Sequence, residues 1–226
     1  MLIKYLGHSC FWIEFGEKRL LIDPFIAGNP MASNINQNDL EVDYMLITHG
    51  HGDHIGDAID IGQRTKAIAI ANFEVQNWLV AQGIRAYAMN LGGKFKFDFG
   101  TVKMVSAIHS SVLPDGSNGG NPGGFVVWNE SQSFYIAGDT ALTYDMKLIP
   151  LTCPPLTFAI LPLGDVFTMG YEDAIIASQW INCDLIIGCH FDTFEPIRID
   201  HKKAQEAFAK AGKKLILPEI GQVINL

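Results

Sequence analysis

The chain has 226 residues, of which 48% are hydrophobic and 18% are charged, and its formal net charge is −8. This length and composition fit a globular protein with a substantial core, and the acidic balance disfavours general nucleic-acid binding, which needs a basic surface. No apolar run is long enough to span a membrane, and the N-terminus lacks the apolar block of a signal peptide, so a cytoplasmic protein is expected.

Strands dominate the first half of the chain. Alternating or apolar runs predict strands over residues 2–6, 11–15, 19–22 and 44–47, with a hairpin-type turn at 16–18. A helix follows, for which Asn72 is the predicted N-cap and Gly83 the stop.

The second half mixes strands and helices. Hairpins are predicted over 94–108 and 124–137, further strands over 159–161, 185–187 and 215–217, and helices over 172–181 and from Asp200 to before Gly212. The glycine-rich residues 115–124 are predicted to form a loop. No linker divides the pattern, so a single domain over 1–226 is expected, with two sheets covered by outer helices.

Three imidazoles and a carboxylate crowd into the seven residues THGHGDH at 48–54, directly after a predicted strand. A divalent metal ion would explain the cluster, because neutral imidazoles and an ionised carboxylate are the ligands it needs. Glycines at 50 and 52 let the backbone bend so that alternate side chains converge. The pattern therefore favours a metal-binding loop over a solvated polar loop, with His49, His51, Asp53 and His54 as ligands.

Further ligands are predicted at three other strand ends. His109 follows VKMVSAI, Asp139 follows SFYIAG and His190 follows DLIIGC. Strand ends at one edge of a sheet commonly build sites on a rigid scaffold. Taken singly, either histidine could be an ordinary core or edge residue, and Asp139 could form an Asx turn or a helix cap. The repeated context favours ligands.

In this order, the motif H-x-H-x-D-H, His109, Asp139 within AGDT and His190 resemble the metallo-β-lactamase superfamily. The stretches YLGHSCFWIE, LLIDPF, LITHGHGDH and IAGDTALTYDM look like its UPF0173 group of metal-dependent hydrolases, which is related to sugar-phosphate lactonases. The resemblance covers essentially the whole chain. It implies an α+β fold of two mixed β-sheets with outer helices, arranged as a four-layer αββα sandwich.

The resemblance also implies a role for each candidate ligand. His49, His51 and His109 would hold one metal ion, Asp53, His54 and His190 would hold a second, and Asp139 would bridge both. All seven positions carry ligating side chains, so two divalent ions are expected. Zinc suits this shell of nitrogen and oxygen atoms, and Mn, Fe or Ni would also fit.

The implied reaction is hydrolysis of an ester-like or lactone bond in a small molecule by a hydroxide held at a binuclear metal centre. Asp53 is expected to orient this nucleophile and to accept its proton. The alternatives are a phosphodiesterase or ribonuclease of the same superfamily and a catalytically silent metal-binding protein. The acidic chain favours a small-molecule substrate without nucleic-acid or membrane partners, and homo-oligomer formation is left open.

Four more residues are candidates for the surroundings of the metal ions. His8 follows a strand and is expected either near the site or in a structural role, and Asp23 either supports a ligand by hydrogen bonding or caps a turn. Ser110 and Thr193 either line the pocket or belong to ordinary loops. The loop 115–124 is either a mobile lid or a plain connection.

Overall fold

The computed structural model describes residues 1–226, which form fourteen strands, six α-helices and three short 3-10 helices. The strands are β1 (Leu2–Gly7), β2 (Cys10–Phe15), β3 (Lys18–Ile22), β4 (Tyr44–Leu46), β5 (Ile68–Asn72), β6 (Ala86–Met89), β7 (Lys94–Lys96), β8 (Thr101–Ser106), β9 (Gly123–Trp128), β10 (Ser133–Ile136), β11 (Phe158–Pro162), β12 (Leu185–Cys189), β13 (Lys214–Ile216) and β14 (Val223–Asn225). The helices are α1 (Gly52–Ile55), α2 (Ala58–Thr65), α3 (Phe73–Ala81), α4 (Ile149–Thr152), α5 (Tyr171–Trp180) and α6 (His201–Lys210). None of these helices has the length and apolar character that crossing a membrane requires.

The chain divides into two compact units. Unit 1 comprises Met1–Leu91, Ser110–Pro122 and Glu219–Leu226, and unit 2 comprises Gly92–His109 and Gly123–Pro218. Each unit contains one mixed seven-stranded sheet. The expectation of a single domain over 1–226 stays a prediction.

The unit 1 sheet has the strand order β14-β1-β2-β3-β4-β5-β6. Its first four strands pair antiparallel, and β3 to β6 pair parallel. Strands β1, β3, β4, β5 and β6 therefore run in the same direction and end at the same edge of the sheet. The segments with the predicted site residues His8, Asp23 and His49 leave the sheet at this edge, which we call the carboxyl edge of unit 1.

The unit 2 sheet has the order β13-β12-β11-β10-β9-β8-β7. Strands β10 to β13 pair parallel, while β7, β8, β9 and β10 pair antiparallel in succession. Strands β8, β10, β11, β12 and β13 therefore end at one edge, the carboxyl edge of unit 2. His109, Asp139 and His190 follow three of these five strand ends.

Each sheet is covered by helices through an apolar core. In unit 1, Ile61 of α2 and Val75 and Leu79 of α3 belong to a buried cluster with Met45 of the sheet. In unit 2, α5 and α6 contribute alanines and Phe208 to a cluster with strands β11 and β12. Alanine on the covering helices lets their backbones approach the sheet closely, and the cores hold the strand ends in fixed positions.

The predicted fold class, two mixed sheets with helices, is confirmed. The predicted strands and hairpins are present with bounds shifted by one or two residues. The Asn72 prediction is confirmed in detail, because its side-chain oxygen accepts a hydrogen bond of 2.8 Å from the Val75 N–H at the start of α3. Three strands (β5, β6 and β14) and three helices (α1, α2 and α4) were not predicted.

The segment after β11 has an unusual backbone. Asp165 and Val166 have consecutive positive φ angles of 58° and 50°. This region is unfavourable for residues with a side chain, and a β-branched residue such as valine rarely adopts it. Val166 therefore stores local strain.

Replacing Val166 with asparagine should stabilise the protein, because asparagine tolerates a positive φ. We expect Val166→Asn to raise the free energy of unfolding by about 1 kcal/mol, which corresponds to about 2–4 °C in Tm for a chain of this size. Thermal unfolding monitored by circular dichroism measures the shift.

The matched control is Val223→Asn, because Val223 is also exposed but lies in the regular strand β14. This control should not stabilise the protein, since asparagine is a poor strand residue. Equal shifts in both variants would contradict strain at Val166.

Candidate metal-binding site

The histidine motif lies at the carboxyl edge of unit 1. Strand β4 ends at Leu46, Thr48 and His49 are buried, and α1 begins at Gly52. His51, at the N-cap of α1, has an extended backbone, and its carbonyl accepts the N–H groups of His54 and Ile55. The short turn into a helix thus presents three histidines within one loop.

The hydrogen bonds of His49 define which of its nitrogens can bind a metal ion. The Thr48 hydroxyl donates to Oδ2 of Asp23 at 2.7 Å, so its oxygen accepts from His49 Nδ1–H at 3.0 Å. The His49 ring then carries its proton on Nδ1 and presents the lone pair of Nε2. This is the tautomer that a ligand bonding through Nε2 requires.

His51 presents a second nitrogen to the same place. His51 Nδ1 lies 3.0 Å from His49 Nε2, and His51 Nε2 lies 3.4 Å from the Ser110 hydroxyl. An ion at about 2.0–2.1 Å from two imidazole nitrogens at a tetrahedral angle would hold them about 3.3 Å apart. The observed separation is close to this value, so these two donors fit one metal ion.

Asp23 connects the strand end to the third histidine of the motif. Its carboxylate, which is fully buried, accepts hydrogen bonds from the Thr48 N–H at 2.8 Å, the Thr48 hydroxyl, and His54 Nδ1 at 2.9 Å. Burial raises the pKa of Asp23, and the His54 ring and the Thr48 groups oppose this effect. The bond to Nδ1 leaves His54 Nε2 as the donor atom for a metal ion.

His8 contacts the carboxylate of the motif. His8 is buried, and its Nε2 lies 3.2 Å from Oδ2 of Asp53. The ligand atoms of His8, Asp53 and His54 all lie within 4.8 Å of one another. Of the two expectations for His8, the structure thus supports the one that places it beside the predicted ligands.

Unit 2 brings its three predicted ligands together at its carboxyl edge. Oδ2 of Asp139 lies 3.0 Å from His190 Nε2 and 3.6 Å from His109 Nε2. Asp139 and His190 are buried, and His109 is partly exposed. A single carboxylate oxygen therefore faces two imidazole nitrogens, an arrangement suited to a carboxylate that bridges two cations.

Thr140 holds the strand ends of unit 2 in place. Its hydroxyl oxygen accepts the Ile108 N–H at 2.9 Å, and its carbonyl accepts the Met169 N–H at 2.9 Å. Thr193 is buried three residues after His190, and its N–H donates to the Phe191 carbonyl at 2.8 Å. Thr193 thus belongs to the tight turn that follows His190.

Sequence reasoning missed Thr48 and Thr140, which are buried polar residues next to predicted ligands. The sequence does show a threonine next to His49 and next to Asp139. It does not show their hydrogen-bond partners, which lie on distant segments of the chain. Ser111, which like Ser110 was expected either to touch substrate or to be an ordinary loop residue, accepts the Gly50 N–H at 3.1 Å. Backbone conformation was also missed, because His8, Asp23 and His190 have φ angles of 56°, 40° and 53°.

Comparison with known proteins agrees with this architecture. A family model described as the β-lactamase superfamily domain matches residues 2–190. A UPF0173 metal-dependent hydrolase of Flavobacterium johnsoniae is 53% identical over 226 residues, with both chains covered completely. The solved structure of Igni18, a metallo hydrolase from Ignicoccus hospitalis, matches with a TM-score of 0.89 and 31% identity, covering 99% of this chain and 97% of that one.

An isothiocyanate hydrolase from Delia radicum gut bacteria shares the fold, with a TM-score of 0.81 and 20% identity over 100% of this chain and 99% of its own. The chain belongs to the metallo-β-lactamase superfamily, and within it to the UPF0173 group of metal-dependent hydrolases. The predicted family is therefore confirmed, and so is the prediction that the protein is a metal-dependent hydrolase.

The hydrogen bond from His54 to Asp23 leads to a prediction for metal affinity. In Asp23→Asn, one of the two oxygens becomes an NH₂ group, which cannot accept the bonds that Oδ1 and Oδ2 now receive. We expect metal affinity to fall about ten- to a hundred-fold, as is typical when the partner of a ligating histidine is removed. Competition with a chromophoric chelator measures the affinity.

Asp57→Asn is the matched control, because Asp57 is also a buried carboxylate of unit 1 but accepts the Ile26 and Ala27 N–H groups instead. It should lower Tm without changing metal affinity. Wild-type affinity in Asp23→Asn would show that Asp23 does not orient His54.

Proposed function

We propose that the chain hydrolyses an ester-like or lactone bond of a small molecule with two bound divalent cations. The observation that carries this proposal is the hydrogen-bonded histidine loop of unit 1. Thr48 and Asp23 fix the rings of His49 and His54 so that each presents Nε2. A metal-ligating histidine typically donates its other ring N–H to such a partner, which fixes the tautomer and the orientation of the ring.

We assign the ligands as the family resemblance implies. His49, His51 and His109 would hold one cation, Asp53, His54 and His190 would hold the other, and Asp139 would contact both. The separations within each unit support this assignment, since His49 and His51 point nitrogens toward one place and Asp139 offers one oxygen to two histidines. The shell of nitrogen and oxygen donors suits Zn²⁺, and Mn²⁺, Fe²⁺ or Ni²⁺ would also bind.

When bound, the cations would lower the pKa of water and stabilise negative charge on the oxygen of the bond that is attacked. The chain supplies the remaining functions. Four of the proposed donors, His49, His54, Asp139 and His190, are buried, which strengthens electrostatic interactions at these groups. To Asp53, whose carboxylate is partly exposed, we assign the roles of orienting a nucleophilic water and accepting its proton.

We further propose that His8 positions Asp53. Its contact with Oδ2 at 3.2 Å would hold the carboxylate in one orientation. The left-handed backbone of His8 aims the ring from the end of β1 toward α1, and such strained conformations persist where function requires them.

A reducing compartment such as the cytoplasm fits the thiols of the chain. All four cysteines are free, and Cys10, Cys183 and Cys189 are buried. Burial raises the pKa of Cys10 and of Cys183, which keeps these thiols protonated and unreactive.

Hydrolysis should require metal. We expect protein treated with a chelator to lose activity on lactone and thioester model substrates, and Zn²⁺ or Mn²⁺ to restore it. Parallel assays with a phosphodiester and with an isothiocyanate, the substrate class named for one structural neighbour, test the bond type. Elemental analysis should find two metal ions per chain.

Activity on phosphodiesters alone would contradict the proposal and would identify the protein as a phosphodiesterase. Activity that survives full chelation, or metal-loaded protein without any hydrolytic activity, would contradict it.

The role of His8 is tested by His8→Asn, because asparagine keeps the left-handed backbone but is too short to reach Asp53. We expect kcat to fall about ten- to a hundred-fold, since small losses of positioning have effects of this size. Metal content should stay near that of the wild type, and so should KM.

His201→Asn is the matched control. His201 is the first residue of α6, is exposed, and contacts the carboxylate of Asp192. Its kcat should not change. A wild-type kcat in His8→Asn would remove His8 from the catalytic arrangement.

A further inference from the structure

Two strand ends at the carboxyl edge of unit 2 carry no predicted ligand, that of β11 inside the sheet and that of β13 at its margin. Strands β8, β10 and β12 lead to His109, Asp139 and His190, whereas β11 leads into residues 163–170, which we call the β11 loop. Strand β11 pairs with β10 on one side and with β12 on the other, in parallel on both. The β11 loop therefore emerges between the segments that carry Asp139 and His190.

The base of the β11 loop is attached to both of those segments. Gly164 and Gly170 form an antiparallel bridge that closes the loop, and the Met169 N–H donates to the Thr140 carbonyl at 2.9 Å. A side chain at Gly164 would collide with the carbonyl oxygen of His190, so the two backbones lie in direct contact. The base of the loop is therefore as fixed as the ligands beside it.

The tip of the loop is exposed, apolar and strained. Val166 is 66% exposed and Phe167 is 54% exposed, although Leu163 and Met169 on either side are buried. The carboxylate of Asp165 accepts the Val166 N–H at 2.9 Å and so holds the left-handed pair in place. A protein gains nothing in stability from presenting a strained valine and a phenylalanine to water, which points to a role in recognition.

A third exposed apolar side chain lies at the same edge. Ile108, which precedes His109, is 56% exposed, and its N–H and carbonyl bond the Thr140 hydroxyl and the Ala141 N–H. Thr140 thus links the Ile108 segment and the β11 loop to the segment of Asp139. Charged side chains other than the predicted ligands are few on these segments: Asp165 lies in the β11 loop, and Asp192 follows His190.

We propose that the β11 loop determines substrate specificity, with Val166 and Phe167 contacting an apolar alkyl or aryl group beside the bond that is cleaved. This inference rests on the proposed function and extends it to the class of substrate, a hydrolysable compound with an apolar substituent. We assign the apolar tip to this substituent because the β11 loop emerges between the segments of the same sheet that carry the predicted ligands Asp139 and His190.

The first test measures binding without turnover. Acetamide, butanamide and hexanamide are titrated into wild-type protein and Phe167→Ser, and dissociation constants are measured by ligand-observed NMR. We expect wild-type affinity to increase about two- to four-fold for each added methylene group, as burial of apolar surface predicts. In Phe167→Ser this dependence on chain length should disappear while acetamide binding is unchanged.

The matched control is Phe95→Ser, the same exchange at an exposed phenylalanine of β7, which three strands separate from β11. It should keep the wild-type chain-length dependence. Wild-type affinities that do not depend on chain length, or a dependence that survives in Phe167→Ser, would overturn the inference. A change in oligomeric state in Phe167→Ser with unaltered amide binding, measured by light scattering, would assign the tip to contact between copies of the chain and would also overturn it.

The second test uses turnover of acetyl and hexanoyl esters. Phe167→Ser should raise KM for the hexanoyl ester by roughly 16- to 250-fold, since two- to four-fold is lost for each of four methylene groups, and should change KM for the acetyl ester far less. Val166→Asn should weaken the preference for the hexanoyl over the acetyl ester, although it stabilises the fold. A loop with a purely structural role would not show both effects. If no ester is cleaved but the amides bind as expected, the proposed reaction fails while the apolar recognition stands.

Discussion

The carboxylate of Asp23 is fully buried in unit 1, where an ionised group is costly unless hydrogen bonds compensate for the lost water. Thr48 and His54 provide that compensation, so the ends of β3 and β4 and the start of α1 are bound to one side chain. Through Thr48, the same carboxylate also fixes the ring of His49. The orientation of the histidine loop thus follows from the need to satisfy one buried charge.

In unit 2 a neutral residue, Thr140, fixes the segments that carry the predicted ligands. Thr140 uses its hydroxyl and its carbonyl to connect the segments that carry His109, Asp139 and the β11 loop. In both units the sheet supplies parallel strand ends, and a buried polar residue beside a ligand fixes the loops that follow. Precise placement therefore depends on residues that do not themselves contact substrate.

Much of this could be predicted from the sequence because the decisive signals are local. Alternating strands, the Asn72 cap and the ligands at strand ends each occupy a few neighbouring residues. Strand β5 was missed because its sequence IAIAN is rich in alanine and does not alternate in polarity, and β14 because three residues gain their structure only by pairing with distant β1. The partners of Asp23 and the strain at Val166 depend on long-range contacts, which one sequence does not display.

The left-handed backbone of His8, Asp23 and His190 has a consequence for how the site can be lost during evolution. The codons of histidine and aspartate each become an asparagine codon by exchange of the first base, and asparagine is the side-chain-bearing residue that best accepts this backbone. Chains that keep the backbone but have weakened chemistry are therefore one nucleotide away at each of these positions. Relatives with asparagine there would keep the fold with reduced metal binding or turnover, a ready starting point for new binding roles.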